Sequence, residues 1–181
     1  MIIAAYPGVG KTWLAQNRAN VIDLDSSSFK INGHRFSAWE KVYVQVACSL
    51  NTESNIVCVS THSEVLDELA KCKDQIFLCY PELSLKEAWI ERLNMRYQKS
   101  KSNKDYLALK RVTNNFETDI QELKHRSEFL HLTILDKNTY LGNLIQPGKE
   151  IHGDEEHIKI EVYPVKSICD KVREYLTDIK A

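Results

Sequence analysis

Eight residues near the N-terminus, Ala5-Tyr6-Pro7-Gly8-Val9-Gly10-Lys11-Thr12, constrain this chain more than any other stretch. They follow a short apolar run, Met1 to Ala4, and lead into Trp13, Leu14 and Ala15, which read as the start of a helix. Strand, glycine-rich turn and helix in that order is the setting of a phosphate-binding loop. The glycines let backbone N–H groups turn toward phosphate oxygens, and the helix N-terminus adds partial positive charge. In such a loop the lysine, here Lys11, reaches the outer phosphates, and the Thr12 hydroxyl sits on Mg²⁺. The residues expected around a bound nucleotide are therefore Gly8, Val9, Gly10, Lys11, Thr12 and Trp13. At its first position the pattern carries Ala5 in place of glycine. A Pro-Gly turn beside a surface lysine is the competing reading of the same letters.

Composition narrows the setting. A chain of 181 residues is expected to form a single domain, 1–181, with enough length to bury a core. Lys+Arg 24 against Asp+Glu 25 leaves a net charge of −1, so no global field draws in nucleic acid or an anionic membrane. Cys48, Cys58, Cys72, Cys79 and Cys169 lack C-x-x-C spacing and read as small core residues in a reducing compartment. No run approaches a transmembrane length and no signal peptide is evident, so the expected location is cytoplasmic, away from membranes.

Beyond the loop, strands and helices alternate. Val21 to Asp25 reads as a second strand, Ile56 to Val59 as a buried parallel strand, Gln75 to Cys79 as a fourth and Leu132 to Leu135 as a fifth. Capping-box spacings at Ser37 and Ser84 are expected to open two helices, and Thr61 to Glu64 a third. Trp39, Tyr43 and Trp89 fall at helical core spacing. A long amphipathic helix is expected over about Lys104 to Glu128, and a terminal one over Val165 to Ile179. The polar, basic Lys99 to Lys104 reads as a mobile connector closing a lid region about 84–104. An irregular insertion is expected about 142–163, with Ile158 to Val162 as an edge strand or hairpin arm. The alternation implies a parallel sheet covered on both faces, with ligands beyond its strand ends.

Those ends hold the candidate chemistry. Asp23 and Asp25, two apart on the second strand, could hold Mg²⁺ through water, orient an acceptor hydroxyl or take its proton. Alternatively, one of them caps the following turn. The third strand ends in Ser60-Thr61-His62, without the carboxylate that nucleotide-hydrolysing motors place there. His62 either faces an acceptor or serves as a capping or solvent residue. Arg92 and Arg96 lie one turn apart with no acid three or four positions away on their helix, an arrangement that a polyphosphate would relieve. A solvated basic edge is the alternative.

Laid out in this order, the chain resembles the P-loop nucleoside and nucleotide kinases. These include adenylate kinase-like nucleoside-monophosphate kinases and the related shikimate and gluconate kinases. Tyr6-Pro7-Gly8-Val9-Gly10-Lys11-Thr12, Ile22-Asp23-Leu24-Asp25 and Trp89-Ile90-Glu91-Arg92-Leu93-Asn94-Met95-Arg96 carry the likeness. Small P-loop proteins of this kind are often encoded by bacteriophages, and the general look is similar. The resemblance implies an α/β, three-layer P-loop NTPase fold with a five-stranded parallel sheet in the order 2-3-1-4-5. It places the donor base near Asp136 to Thr139 and the acceptor beside the second strand. The Asp-Gly-Phe-Pro-Arg segment of typical adenylate kinases is absent.

The expected activity is ATP-dependent, Mg²⁺-requiring transfer of a γ-phosphoryl group to a nucleoside monophosphate or similar small acceptor. Lys11, Asp25, Arg92 and Arg96 are the expected catalytic residues, with Thr12 and Asp23 at the metal. A kinase for a polynucleotide 5′ end or a small metabolite is the alternative within enzymes. A nucleotide-binding regulatory or adaptor protein that transfers nothing is the alternative outside them.

Overall fold

The computed structural model describes residues 1–145, together with the backbone of 151–153 and 156–158. At its centre β1 (Ile2–Ala5) lies wholly buried between two parallel neighbours, β5 (Ile56–Val59) and β6 (Ile76–Pro81). Ile3 pairs with Cys58 on one side and Phe77 on the other. All three strands are apolar throughout, as a strand covered on both faces requires. Two outer strands, β2 (Val21–Asp23) and β7 (Leu130–Ile134), complete a five-stranded, all-parallel sheet in the order β2-β5-β1-β6-β7. Between β2 and β5 the chain forms a small antiparallel hairpin, β3 (Lys30–Ile31) and β4 (His34–Arg35).

Helices flank this sheet. They are α1 (Lys11–Asn17), α2 (Trp39–Leu50), α3 (Ser63–Leu69), α4 (Lys86–Ser100), α5 (Asn103–Lys124) and the short α6 (Leu141–Leu144). The apolar stripes expected on α2 and α4 are buried at Trp39, Tyr43, Val46, Ala47 and Leu50, and at Trp89 and Leu93. On α5 the stripe shifts by one residue in its first half, so that Val112 is buried and Thr113 exposed. Among the described residues no helix is long and apolar enough to cross a membrane.

Local details depart from the sequence expectations. Neither capping box forms: Ala38, just before α2, takes a left-handed conformation, and α4 continues from a 3₁₀ turn over Leu83–Leu85. That preceding turn already supplies the helical geometry a capping serine would otherwise initiate. The connector at Lys99 to Lys104 is a tight turn between α4 and α5. Lys101 takes a left-handed conformation there, and the Ser102 hydroxyl accepts from the Asp105 amide at 3.2 Å. Cys58 and Cys79 are core residues as expected, whereas Cys48 and Cys72 are half-buried with their thiols 3.4 Å apart. Of the expected insertion, α6 and a hairpin of β8 (Ile151–Gly153) with β9 (Glu156–Ile158) are described. The expected terminal helix and Cys169 lie outside the described residues.

Trp89 connects core to loop. It is fully buried, and its indole N–H donates to the Pro7 carbonyl at 2.7 Å. Trp89→Phe keeps most of the ring but removes the donor to that half-buried carbonyl, a loss of about 1 kcal/mol. Urea denaturation should show the lowered midpoint with an unchanged slope.

Candidate functional site

The loop between β1 and α1 is fixed through its carbonyls. Trp89 holds that of Pro7, the Arg92 Nη1 donates to that of Gly8 at 3.1 Å, and the Leu141 amide donates to that of Val9 at 2.9 Å. Its amides are treated differently. Among the described residues no acceptor is found for the N–H groups of Gly8, Gly10, Lys11, Thr12 and Trp13. Gly8 and Gly10 make this possible at φ of 92° and 98°. A Cβ on Gly8 would also stand 2.8 Å from the Trp89 indole nitrogen, so space and conformation both demand glycine there. Ala5 carries no such demand. It is the last residue of β1, paired in register with Cys79, and it does not adopt a positive φ.

Lys11 is half-buried, and its ammonium donates to the carbonyls of Ala5 and Tyr6. Burial lowers its pKa, and the charge of Asp23 opposes that shift. The Thr12 hydroxyl donates to Asp23 Oδ2 at 2.6 Å, so the loop threonine meets a carboxylate at the end of β2. A hydroxyl and a carboxylate are hard oxygen donors of the kind Mg²⁺ takes. Among the described residues no cluster of three or more His, Cys, Asp or Glu would hold a metal alone. Water or ligand oxygens would complete the coordination of such an ion. Asp25 lies beyond the strand, where Oδ1 accepts from the Ser27 amide at 2.9 Å and Oδ2 pairs with Lys104 at 2.6 Å. Burial alone would raise its pKa, but the hydrogen bonds from Lys104 and Ser27 prevail and hold it below the usual carboxylate range.

The two arginines singled out in the sequence have protein partners. Arg92 lies between the rings of Trp89 and Tyr140, 4.0 and 4.1 Å from their centroids, and also donates to the carbonyls of Lys137 and Thr139. Arg96 pairs with Asp105 at 2.8 Å. Its acid comes from α5, which spacing within α4 cannot reveal.

Two other arginines converge on His62, at the turn from β5 into α3. Arg35 Nη2 stands 3.3 Å from His62 Nε2, and Arg111 Nη1 stands 3.5 Å from Nδ1. Arg35 also stacks on Trp39 at 3.3 Å and donates to the Ser26 carbonyl at 2.8 Å. Arg111 is held by Asp119, whose Oδ2 accepts from Nε at 2.9 Å and from the Tyr6 hydroxyl at 3.0 Å. Burial, then the charges of Arg111 and Arg35, push the His62 pKa down to about 4. A neutral imidazole has one accepting nitrogen, so only one of the two guanidiniums can donate to it.

Signals for these residues existed. Asn32-Gly33 is a strong hairpin dipeptide, and its positive φ values turn the chain so that Arg35 returns toward β5. Asp119 falls within the apolar spacing of Phe116, Ile120 and Leu123, where an acid needs a partner. On the other side of the loop a cavity of about 550 Å³ is lined by Trp13, Asn17, Arg18, Asn138, Tyr140 and Asn143. Trp13 is 62% exposed there, which leaves its ring free for a planar ligand. No protein-family model matches the chain, and no curated protein matches it at a significant level.

His62 has a pH consequence. Its pKa is about 4 in the fold and near the ordinary histidine value, ~6.5, when unfolded, so the unfolded state binds more protons between these values. Stability should therefore fall as pH drops through that window, and His62→Gln should flatten the fall. Urea midpoints collected at pH 7 and pH 5 for both proteins check this.

Proposed function

We propose that this protein is an ATP-dependent, Mg²⁺-requiring phosphotransferase with a P-loop kinase fold, acting on a nucleoside monophosphate or similar small acceptor. The observation that carries the reading is the loop itself: five amides without an acceptor among the described residues, next to a half-buried lysine and a threonine hydroxyl on an aspartate. The sheet order β2-β5-β1-β6-β7, with the loop leaving the central strand, supports it further. So does the placement of the acid, which meets Thr12 from β2 and not from β5. The described residues form one kinase-like unit in this reading.

The chain's part in transfer is positioning and charge neutralisation. The amides of Gly8, Gly10, Lys11, Thr12 and Trp13 and the Lys11 ammonium would hold the donor phosphates. Thr12 and Asp23 would hold Mg²⁺, which supplies charge neutralisation between the donor oxygens. The cavity beside Trp13 and Tyr140 has room for the donor base. Asp25, ionised and tethered to Lys104, would orient the acceptor hydroxyl or take its proton. Arg35 and Arg111 favour an acceptor with an anionic group of its own. Arg92 would serve the donor side by holding the loop against the turn at Lys137 and Thr139. Arg96 would reach the transferring group by leaving Asp105, and a surface pair of this kind is worth about 0–1 kcal/mol.

A polynucleotide acceptor is disfavoured by the same geometry. Lys104 is paired with Asp25 and Lys101 donates to Gln98, so two of the three lysines of the basic stretch Lys99 to Lys104 are already engaged within the protein. Isothermal titration with ATP·Mg²⁺, then a coupled ADP-release assay across the nucleoside monophosphates, tests the reading. Acceptor-stimulated release is expected, and Lys11→Ala should abolish it while leaving the circular dichroism spectrum unchanged. Wild-type turnover by that variant would sink the assignment. Tight binding without stimulated release would make the protein a nucleotide-binding regulator.

Asp23→Asn should raise the Mg²⁺ concentration needed for half-maximal rate by about tenfold, in line with losing one charged oxygen at the ion. A Mg²⁺ titration at saturating ATP reads that shift.

A further inference from the structure

Arg111 is held against His62 by a contact made at its other edge. Nε is bound to Asp119, which leaves the edge formed by Nη1 and Nη2, with Nη1 next to His62. An arginine free in all its torsions would forfeit much of its rotamer entropy on binding an anion. Pinned at Nε, it has surrendered most of that freedom beforehand. Asp119 is 9% exposed and lies between the apolar Phe116 and Leu123, a position where leucine would complete the stripe without a charge. Its carboxylate instead joins two residues 105 positions apart, Tyr6 of the loop and Arg111 of α5. Tyr6 is itself immobilised: it is fully buried and packs edge-on against Phe116 at 6.0 Å.

Building on the phosphotransfer reading, we propose that Asp119 is a positioning residue. With Tyr6 it aims the free edge of Arg111 at the acceptor's anionic group, and it links that arginine to the loop that seats the donor phosphates. The bond to Tyr6 makes the placement of Arg111 depend on the loop's own geometry. Arg35, held by Ser26 and Trp39, does not share that dependence.

The test uses the full chain and two readouts. In the acceptor-stimulated assay, Asp119→Asn should lower kcat by about ten- to a hundredfold, the scale expected for a misplaced charged group, with ATP affinity by titration within about threefold of wild type. In an Arg111→Gln background the same substitution should have no further effect. An equal loss in both backgrounds would overturn the proposal. The second readout is the His62 titration followed by NMR, which needs no activity. If Asp119 holds Arg111 against the imidazole, Asp119→Asn frees the guanidinium and the His62 pKa rises from about 4. If Arg111 stays in place without it, removing a negative charge leaves that pKa unchanged or lowers it, and the proposal fails. Tyr6→Phe removes a single hydroxyl and should move both readouts the same way by less, which keeps the test open if Asp119→Asn does not fold. A wild type that transfers to no acceptor would refute phosphotransfer, while the His62 titration would still decide the positioning.

Discussion

A loop that is to bind phosphate through its backbone must hold its shape while leaving its amides unpaired, and the structure around residues 5–12 follows from that conflict. Buried backbone groups without partners are costly, and a loop with few internal hydrogen bonds has little to keep it in one conformation. Here the carbonyls resolve both problems. Those of Pro7, Gly8 and Val9 are taken by Trp89, Arg92 and the Leu141 amide. Their donors lie on α4 and in the segment after β7, so two parts of the chain distant in sequence fix one side of the turn. The other side is left with donors alone.

Charge follows the same division. The chain as a whole carries −1, but beside the loop Arg35 and Arg111 converge on a histidine held neutral, with the Lys11 charge acting in the same direction. The acids nearby are engaged one by one: Asp23 with Thr12, Asp25 with Lys104, Asp105 with Arg96, Asp119 with Arg111. Arg35 has no carboxylate partner among the described residues. Net charge therefore describes the field far from the molecule, whereas recognition depends on a local excess that the sum conceals.

What could be read in the sequence divides along physical lines. The loop, the parallel strands and the buried faces of α2 and α4 follow from local periodicity and glycine placement, so they were legible. Trp89 was legible as a core residue but not as the anchor of Pro7, 82 positions away, because spacing says nothing of distant partners. The same limit governs Arg92 and Arg96, which looked unpaired on their own helix and are engaged from outside it. Asp25 illustrates the reverse case. Its turn-capping alternative was visible, and that is the conformation it adopts, with Lys104 added from α5. Ala5 stood out as the weak point of the motif only while the motif was a string of letters; in the sheet it is an ordinary strand residue.

The anchoring also limits which parts of the molecule can move. A lid over residues 84–104 would have to carry α4 away from the loop. That motion would break the Trp89 bond to Pro7 and the Arg92 bonds to Gly8 and the turn near Lys137. It would expose Trp89 and Leu93, both 0% accessible, at a cost of roughly 2–3 kcal/mol for each side chain. The tight Ser102-capped turn would carry α5 along, and with it Arg111 and Asp119. α4 thus forms part of the wall that gives the loop its shape, and the basic stretch at its end joins two packed helices.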